Sequence, residues 1–225
     1  LTLVNYNLLL TAHDSLLNML LEIFPHNIDM RKMKQVVECL RNGGLVIYPT
    51  DTVYGLGCDI FNKDAVEKIC RIKGVKVEKM NFSFICNDLS HISDYTLSVD
   101  TPTYKLMKRC LPGPYTFILK ANNSIPKLFK NNKKSVGIRV PDNEIARMIV
   151  QELGNPIITT SVHHEDDIID YITDPYAIYE RYEHLVDIVI DGGPGGYHPS
   201  TVIDCTGDEP VVVREGIGTI DEYLK

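Results

Sequence analysis

One short segment constrains the fold of this chain more than any other. Residues 45–48 have the β-branched and aromatic composition of a buried strand. The run ends at Pro49, which cannot donate a hydrogen bond to a sheet. Polar groups follow at once, and we expect them to lie within reach of one another: Thr50, Asp51, Thr52 and the Tyr54 hydroxyl.

Gly55 and Gly57 come next in the chain. Glycine permits a positive φ or the close approach of another group to the backbone. A strand that ends in hydroxyls, a carboxylate and glycines is typical of the ligand crevice of an open α/β sheet. A strand followed by an ordinary polar turn explains the same residues, and the spacing does not decide between the two.

Helical and strand patterns alternate along the rest of the chain. Apolar spacing and capping residues predict helices at 29–41, 62–72, 102–110, 144–153 and 175–184. Residues 20–23 are typical of a strand start, and further strands are predicted at 82–86, 115–120, 135–140, 157–161, 186–190, 200–205 and 210–214. We therefore predict one α/β domain with a twisted mixed sheet, containing parallel and antiparallel strands, and flanking helices.

Composition narrows the class of protein. The chain has 225 residues, of which 44% are apolar, and its apolar runs are shorter than the roughly 18 residues that span a bilayer. Its six cysteines form neither CxxC pairs nor zinc-ligand spacings, so we expect reduced core thiols in a cytoplasmic protein without a membrane partner. The net charge of −7 argues against broad nucleic-acid binding, and no DNA partner is expected.

The first 18 residues differ in pattern from the rest of the chain. Leu-rich stretches between positions 1 and 18 are broken by polar residues and do not resemble a signal peptide. We expect residues 1–18 to be an N-terminal extension outside the core fold. An N-terminal helix fits the same residues equally well.

Local charge clusters suggest sites but do not define them. Lysines at 73, 76 and 79 form one basic group, and those at 127, 130, 133 and 134 form another near Arg139. A basic cavity in an acidic protein suits an anionic small molecule or one stretch of RNA, although a solvated lysine face is the ordinary alternative. His163 and His164 precede three acidic residues; a solvated acidic loop explains them better than a metal site, and we predict no metal ligands.

Hydroxyl groups and arginines recur at the predicted strand ends. They occur in segments 50–52, 135–139, 159–161 and 200–201 and at Arg214. Hydroxyls donate to carboxylate or phosphate oxygens, and arginine can bind either group with two hydrogen bonds. The sequence lacks a GxxxxGK[ST] phosphate loop and an evident nucleophilic triad, so any nucleotide would be held by another device.

Six segments, taken in order along the chain, resemble the YrdC family of threonylcarbamoyl-AMP synthases. They are Pro-Thr-Asp-Thr-Val-Tyr-Gly-Leu-Gly at 49–57, Leu-Pro-Gly-Pro-Tyr-Thr-Phe at 111–117, Gly-Ile-Arg-Val-Pro at 137–141, Ile-Asp-Gly-Gly at 190–193, Ser-Thr-Val-Ile-Asp at 200–204 and Val-Arg-Glu-Gly at 213–216. The similarity extends over about residues 20–222. Details at 71–73, 115–120, 139–143 and 211–216 resemble the YciO branch.

The resemblance implies a YrdC-like (dsRBD-like) fold with a concave basic cavity, spanning residues 19–225. It implies a nucleotidyltransferase that converts L-threonine, bicarbonate and ATP to threonylcarbamoyl-AMP and pyrophosphate, the intermediate of the t6A modification of tRNA. ATP would be a substrate, and Mg²⁺ would be bound mainly by substrate oxygens. Double-stranded RNA binding has also been described for the family, so RNA is an expected partner of the alternative, non-catalytic reading.

Residue by residue, the resemblance assigns two groups of side chains. The residues that resemble the threonine-contacting group are Thr52, Arg139, Thr159 and Ser200. Those that resemble the ATP-contacting group are Lys73, Ser135, Ser161 and Arg214. Of these, Lys73 and Arg139 are the predicted catalytic residues, acting through charge stabilisation without a protein nucleophile.

The sequence departs from the family pattern at three places. The family's Lys-x-Arg pair appears as Lys73-Gly74-Val75, and its Ser-x-Asn appears as Ser161-Val162-His163. The family also has a threonine-contacting histidine, and the corresponding position of this chain falls near Phe84. These departures leave two readings open: a synthase-like enzyme with weakened activity, or a YciO-type protein that binds RNA or a nucleotide without turnover.

Overall fold

A computed structural model describes residues 19–80, 82–123, 134–162 and 171–219, and these residues form one sheet with helices on both faces. The strands are Met19–Glu22 (β1), Val46–Tyr48 (β2), Gly55–Asp59 (β3), Ser83–Ile85 (β4), Tyr115–Lys120 (β5), Ser135–Arg139 (β6), Ile157–Ser161 (β7), Ile188–Asp191 (β8), Thr201–Asp204 (β9) and Val211–Arg214 (β10). The helices are Met30–Arg41 (α1), Lys63–Ile72 (α2), Thr101–Cys110 (α3), Glu144–Leu153 (α4) and Pro175–Tyr182 (α5). None of the helices in these ranges is both long and apolar enough to cross a membrane.

Each helix begins at a residue that satisfies its first backbone N–H groups. Asparagine or aspartate side chains accept these hydrogen bonds at every N-terminus: Asp29, Asn62, Asp100, Asn143 and Asp174. The end of α4 is set by Gly154, which adopts a left-handed conformation with φ of 87°. Local sequence therefore fixes where the helices start.

The sheet is mixed, as predicted. Its strand order is β1-β8-β2-β3-β7-β4-β6-β5-β9-β10. Four neighbouring pairs are parallel (β1–β8, β8–β2, β4–β6 and β5–β9), and the other five pairs are antiparallel. Strands far apart in the chain become neighbours, which brings the polar strand ends together.

One face of the sheet is covered by α2, α3 and α5. Its core includes large buried side chains from the central strands, such as Phe84, Phe117 and Ile138. Helices α1 and α4 lie on the other face, where they pack on β1, β8 and β2 through residues such as Val46 and Ile188. The same helices also cover the ends of β7 and β4 at Ile157 and Ile85, and the rest of this face in the described residues leaves room for a cavity.

The sequence pattern does not predict strand β3. The sequence predicts no strand between residues 49 and 61, but residues from Gly55 onwards pair with β2 and β7. Glycine is depleted in strands, which explains the wrong prediction. At Gly55, an added Cβ would lie 2.9 Å from Thr159 Oγ1 and 3.1 Å from Tyr48 Cζ, so the glycine is needed for space.

Candidate functional site

The cavity lies on the part of the second sheet face that α1 and α4 leave open. Its volume is about 430 Å³. A single row of paired residues crosses its floor, one from each of β7, β4, β6, β5 and β9: Thr159, Ser83, Gly137, Ile118 and Asp204. Paired residues on neighbouring strands point to the same face. Apart from Ile118, the residues of this row are small or polar.

Arg139 is the most buried cation that lines the cavity. It ends β6, and only 7% of the residue is exposed. Its Nη2 donates to Thr50 Oγ1 (3.1 Å), Asp51 Oδ1 (2.6 Å) and Thr52 Oγ1 (2.7 Å). The segment that follows β2 thus folds back to hold this guanidinium at the cavity wall.

The pairing of Arg139 with Asp51 is incomplete. Arg139 Nε and Asp51 Oδ2 are both buried, and neither has a hydrogen-bond partner within the described ranges. An unsatisfied buried polar group costs about 1–3 kcal/mol, more when it is charged. The protein therefore leaves hydrogen-bonding capacity on this buried pair beside the cavity.

Arg214 approaches the same cavity from β10. Its Nη2 donates to the Ser200 carbonyl oxygen (2.8 Å) and to Ser200 Oγ (3.2 Å), and Ser200 Oγ also contacts Thr116 Oγ1 (2.9 Å). Burial lowers the pKa of the Arg214 guanidinium, and the positive charge of Arg139 lowers it further. Both arginines line one cavity, which suits a ligand with more than one anionic group.

Lys73 lies just outside the cavity, behind the lining residue Ser161. Only 8% of the residue is exposed, and its Nζ donates to the Ser161 carbonyl oxygen at 3.3 Å. Ser161 itself lines the cavity. The ammonium charge is therefore next to the site without forming part of its surface.

The comparisons with known proteins agree with this geometry. Residues 38–216 match the Sua5/YciO/YrdC family, described as telomere recombination. The chain belongs to this family. YciO of Escherichia coli K12, an uncharacterized protein, is 44% identical over 203 residues, which are 90% of this chain and 97% of YciO. The crystal structure of E. coli YciO has a TM-score of 0.86 at 42% identity and covers 92% of this chain and 100% of that one.

Threonylcarbamoyl-AMP synthases within the Sua5/YciO/YrdC family are more distant. The synthase of Coxiella burnetii RSA 493 is 30% identical over 173 residues, which are 77% of this chain and 91% of the synthase. The crystal structure of P. abyssi Sua5 complexed with L-threonine has a TM-score of 0.83 at 27% identity, covering 91% of this chain and 59% of Sua5. The expected resemblance to the YciO branch is confirmed.

Most residues assigned from the family pattern meet at the cavity. Six of them line it: Ser135, Arg139, Thr159, Ser161, Ser200 and Arg214. Lys73 and Thr52 are absent from this lining and instead contact lining residues. The ligand contacts of all eight residues remain a proposal.

One local expectation needs correction. The Tyr54 hydroxyl was expected beside Thr50, Asp51 and Thr52, but it donates to the Gly193 carbonyl oxygen (2.7 Å) and so holds the loop that follows β8. Asp51, which the sequence did not assign to the site, is the ion-pair partner of Arg139.

Some assigned positions lie away from the cavity or outside the described residues. Val75 is half-buried and packs against the core on the α2 side of the sheet. Lys76 and Lys79 are exposed. His163 and the acidic residues after it, the lysines at 127, 130 and 133, and residues 1–18 all lie outside the described residues.

Several cavity residues were missed from sequence, and most have a recoverable signal. Ser83, Thr116 and Asp204 alternate with buried apolar residues in their strands, so their common face follows once the strand pairing is known. Tyr48 was assigned only to the buried strand, although its hydroxyl bonds Thr159. No local pattern reveals that contact, because the residues are 111 positions apart.

The cysteines behave as expected of core thiols. Burial raises the pKa of the Cys39 and Cys86 thiols to about 12. Cys205 is less buried, and its pKa is also raised to about 12 by partial burial. In the described ranges, no cluster of three or more His, Cys, Asp or Glu side chains is placed to hold a metal ion.

Proposed function

We propose that this protein is a nucleotidyltransferase of the threonylcarbamoyl-AMP synthase type, acting in the cytoplasm on L-threonine, bicarbonate and ATP. The product, threonylcarbamoyl-AMP, would serve the t6A modification of tRNA. The observation that carries the proposal is the convergence of Arg139 and Arg214 on one cavity whose lining is rich in hydroxyl groups. The 30% identity to the Coxiella burnetii synthase supports it.

The amino-acid half of the site would be centred on Arg139. Its guanidinium would pair with the carboxylate of threonine or of the carbamate, since Nη2 alone makes its three hydrogen bonds to Thr50, Asp51 and Thr52. Hydroxyl groups of Thr159 and Ser200 face the same space and would bind further polar atoms. Thr52 would act by orienting Arg139 rather than by touching the ligand.

The nucleotide half would be formed by Ser135, Ser161 and Arg214, with Lys73 behind Ser161. Bicarbonate condenses with the threonine amine to give a carbamate and water. A carbamate oxygen then attacks the α-phosphorus of ATP, and the bond to the bridging oxygen breaks as pyrophosphate leaves with the electron pair. The positive charges of Lys73 and Arg214 would stabilise the charge that develops on the phosphate oxygens.

Magnesium is the usual companion of ATP and would neutralise part of its charge. Asp204 is the only carboxylate among the described lining residues, and the described chain provides no cluster of three ligands. The residues present therefore do not form a protein cage for the ion. The steps above rely on side-chain charges alone.

The alternative function is a YciO-type protein that binds RNA or a nucleotide in this cavity without turnover. Val75 favours it, because the family arginine at this position is replaced by a side chain that packs into the core. A charge-assisted hydrogen bond is worth about 1.5–3 kcal/mol, or about one to two decades in rate. We therefore propose a synthase whose activity is weaker than that of relatives that retain the arginine.

The test is pyrophosphate release from ATP by the purified protein. We expect release that depends on both threonine and bicarbonate, and we expect Val75→Arg to increase it. Release without threonine dependence would contradict the proposal. Absence of release together with tight, salt-sensitive binding of duplex RNA would favour the alternative.

A further inference from the structure

Tyr48 reaches across a whole strand to the edge of the cavity. It ends β2, whereas its hydrogen-bond partner Thr159 lies on β7, with β3 between them. The Tyr48 hydroxyl donates to Thr159 Oγ1 at 2.7 Å. The ring belongs to the apolar core under α1 and α4, so the hydroxyl marks the border between that core and the cavity.

Two glycines make this crossing possible. A Cβ at Gly55 would lie 3.1 Å from Tyr48 Cζ, and a Cβ at Gly57 would lie 2.9 Å from Tyr48 Cε1. Such distances are at or below the tightest normal contacts of a Cβ. The Gly-Leu-Gly sequence of β3 therefore forms a groove for the tyrosine ring.

The direction of the hydrogen bond determines what Thr159 can do. The geometry makes the Tyr48 hydroxyl the donor, and burial raises the pKa of its phenol above the ordinary value of 10.0, so the group stays protonated. A threonine hydroxyl that accepts from tyrosine still has its own proton to donate. Thr159 lines the cavity, so that proton is available to an acceptor there.

We propose that Tyr48 is a positioning residue that fixes the Thr159 hydroxyl as a hydrogen-bond donor to an acceptor oxygen of the ligand. The inference rests on the proposed function for the identity of the ligand, L-threonine. It explains why a fully buried tyrosine and two strand glycines occur next to the polar segment. It also makes this point of the cavity selective for oxygen acceptors over donor groups.

A double-mutant cycle tests the proposal. Calorimetry would give the Kd of L-threonine for the wild type, Tyr48→Phe, Thr159→Val and the double variant. One neutral hydrogen bond corresponds to a three- to tenfold change in Kd, roughly. We expect Tyr48→Phe to raise Kd by about that factor in the wild-type background and by less than about twofold beside Thr159→Val.

Two controls separate positioning from general damage. Tyr115→Phe removes another hydroxyl of a buried tyrosine, which donates to the Thr219 carbonyl oxygen, and should leave the Kd of threonine unchanged. Tyr48→Phe should also leave the Kd of ATP within about twofold. Equal losses in both backgrounds of the cycle, or equal weakening of threonine and ATP, would overturn the proposal.

The experiment also distinguishes a failure of the proposed function from a failure of the role assigned to Tyr48. If the wild type does not bind threonine, the same cycle is measured with inorganic phosphate, and coupling there would support the role of Tyr48 while rejecting threonine as the ligand. Absence of coupling with either probe, or binding of neither, would overturn the inference. If Tyr48→Phe does not fold, proton NMR of the wild type decides: a slowly exchanging Tyr48 hydroxyl proton close to the Thr159 methyl is expected, and its absence would contradict the inference.

Discussion

The two halves of one sheet face differ in their side chains and in whether helices cover them. A single row of paired residues crosses both: Met19, Ile188 and Val46 lie in the first half, and Thr159, Ser83 and Gly137 lie in the second. The first half is aliphatic and is covered by α1 and α4. The second half is polar or small and lines the cavity.

The difference shows how a cavity is encoded in a sheet. Aliphatic side chains gain about 25 cal/mol for each Å² removed from water, so they favour a covering helix. Hydroxyl groups lose hydrogen bonds to water when covered, unless the protein replaces them. Tyr48 stands at the boundary, with its ring in the covered half and its hydroxyl in contact with Thr159 of the open half.

The largest expected effect is on stability and contrasts the two halves directly. Ile188 is fully buried under the helices, so Ile188→Ala should lower the free energy of unfolding by about 2–5 kcal/mol. Val202 lines the cavity and is only partly buried, so Val202→Ala should cost less than about 1 kcal/mol. Urea denaturation measures both. Similar losses would show that the open half is packed as tightly as the covered half.

Two arginines, one lining the open half and one on a helix over the covered half, allow the same contrast for activity. Arg139→Ala should lower threonine-dependent pyrophosphate release by about 10- to 150-fold, the loss of one charge-assisted interaction. Arg147 lies on α4, outside the cavity lining, and Arg147→Ala should leave release unchanged.

Folding of the Arg139 variant needs its own check. Removal of the arginine leaves the Asp51 carboxylate buried without its ion-pair partner, which destabilises the protein. Arg139→Ala combined with Asp51→Asn removes that charge, and release by the combined variant should remain as low as that of Arg139→Ala. Recovery of release in the combined variant would contradict the role of Arg139.

A substitution at Gly55 tests whether Tyr48, at the boundary between the two halves, needs its groove. The methyl group of Gly55→Ala would press on Tyr48 and Thr159, and overpacking of this kind costs about 1–3 kcal/mol. A Cβ at Gly207 would meet only the Glu209 carbonyl oxygen, at an ordinary contact distance of 3.9 Å, so Gly207→Ala should stay within about 0.5 kcal/mol of the wild type. Thermal and urea unfolding measure the difference. Equal stabilities would mean that the tyrosine does not need the groove.

The sequence predicts the local elements better than the site. Helix α4 and strands β5 and β7 have the predicted limits, because a cap, an apolar period or an alternation marks each of them. Strand β3 was missed, since its glycines serve a tyrosine on a neighbouring strand. The partners of Arg139 also needed the structure, because 87 to 89 positions separate them from it.

The smallest expected effect concerns the loss of folding stability at low pH. Hydrogen bonds from the Thr103 backbone N–H and hydroxyl lower the pKa of Asp100, the N-cap of α3, below its ordinary value of 3.8. A lowered pKa in the folded state stabilises the protein above pH 3.8, and this contribution disappears as the pH falls through the folded value. Asp100→Asn keeps an acceptor without a charge.

Melting temperatures at several pH values between 7 and about 2.5 measure this contribution. The wild type should lose slightly more stability than Asp100→Asn as the pH falls through the lowered pKa. Identical slopes would show that the carboxylate does not stabilise the helix through its charge.

A crystal structure with L-threonine bound tests the central claim most directly. We expect the threonine carboxylate within hydrogen-bond distance of Arg139 and an oxygen acceptor of the ligand beside Thr159 Oγ1, on the open half of the sheet face. Threonine bound instead in the second cavity, of about 310 Å³ beside Asp88, His91 and Asp94, would contradict the account.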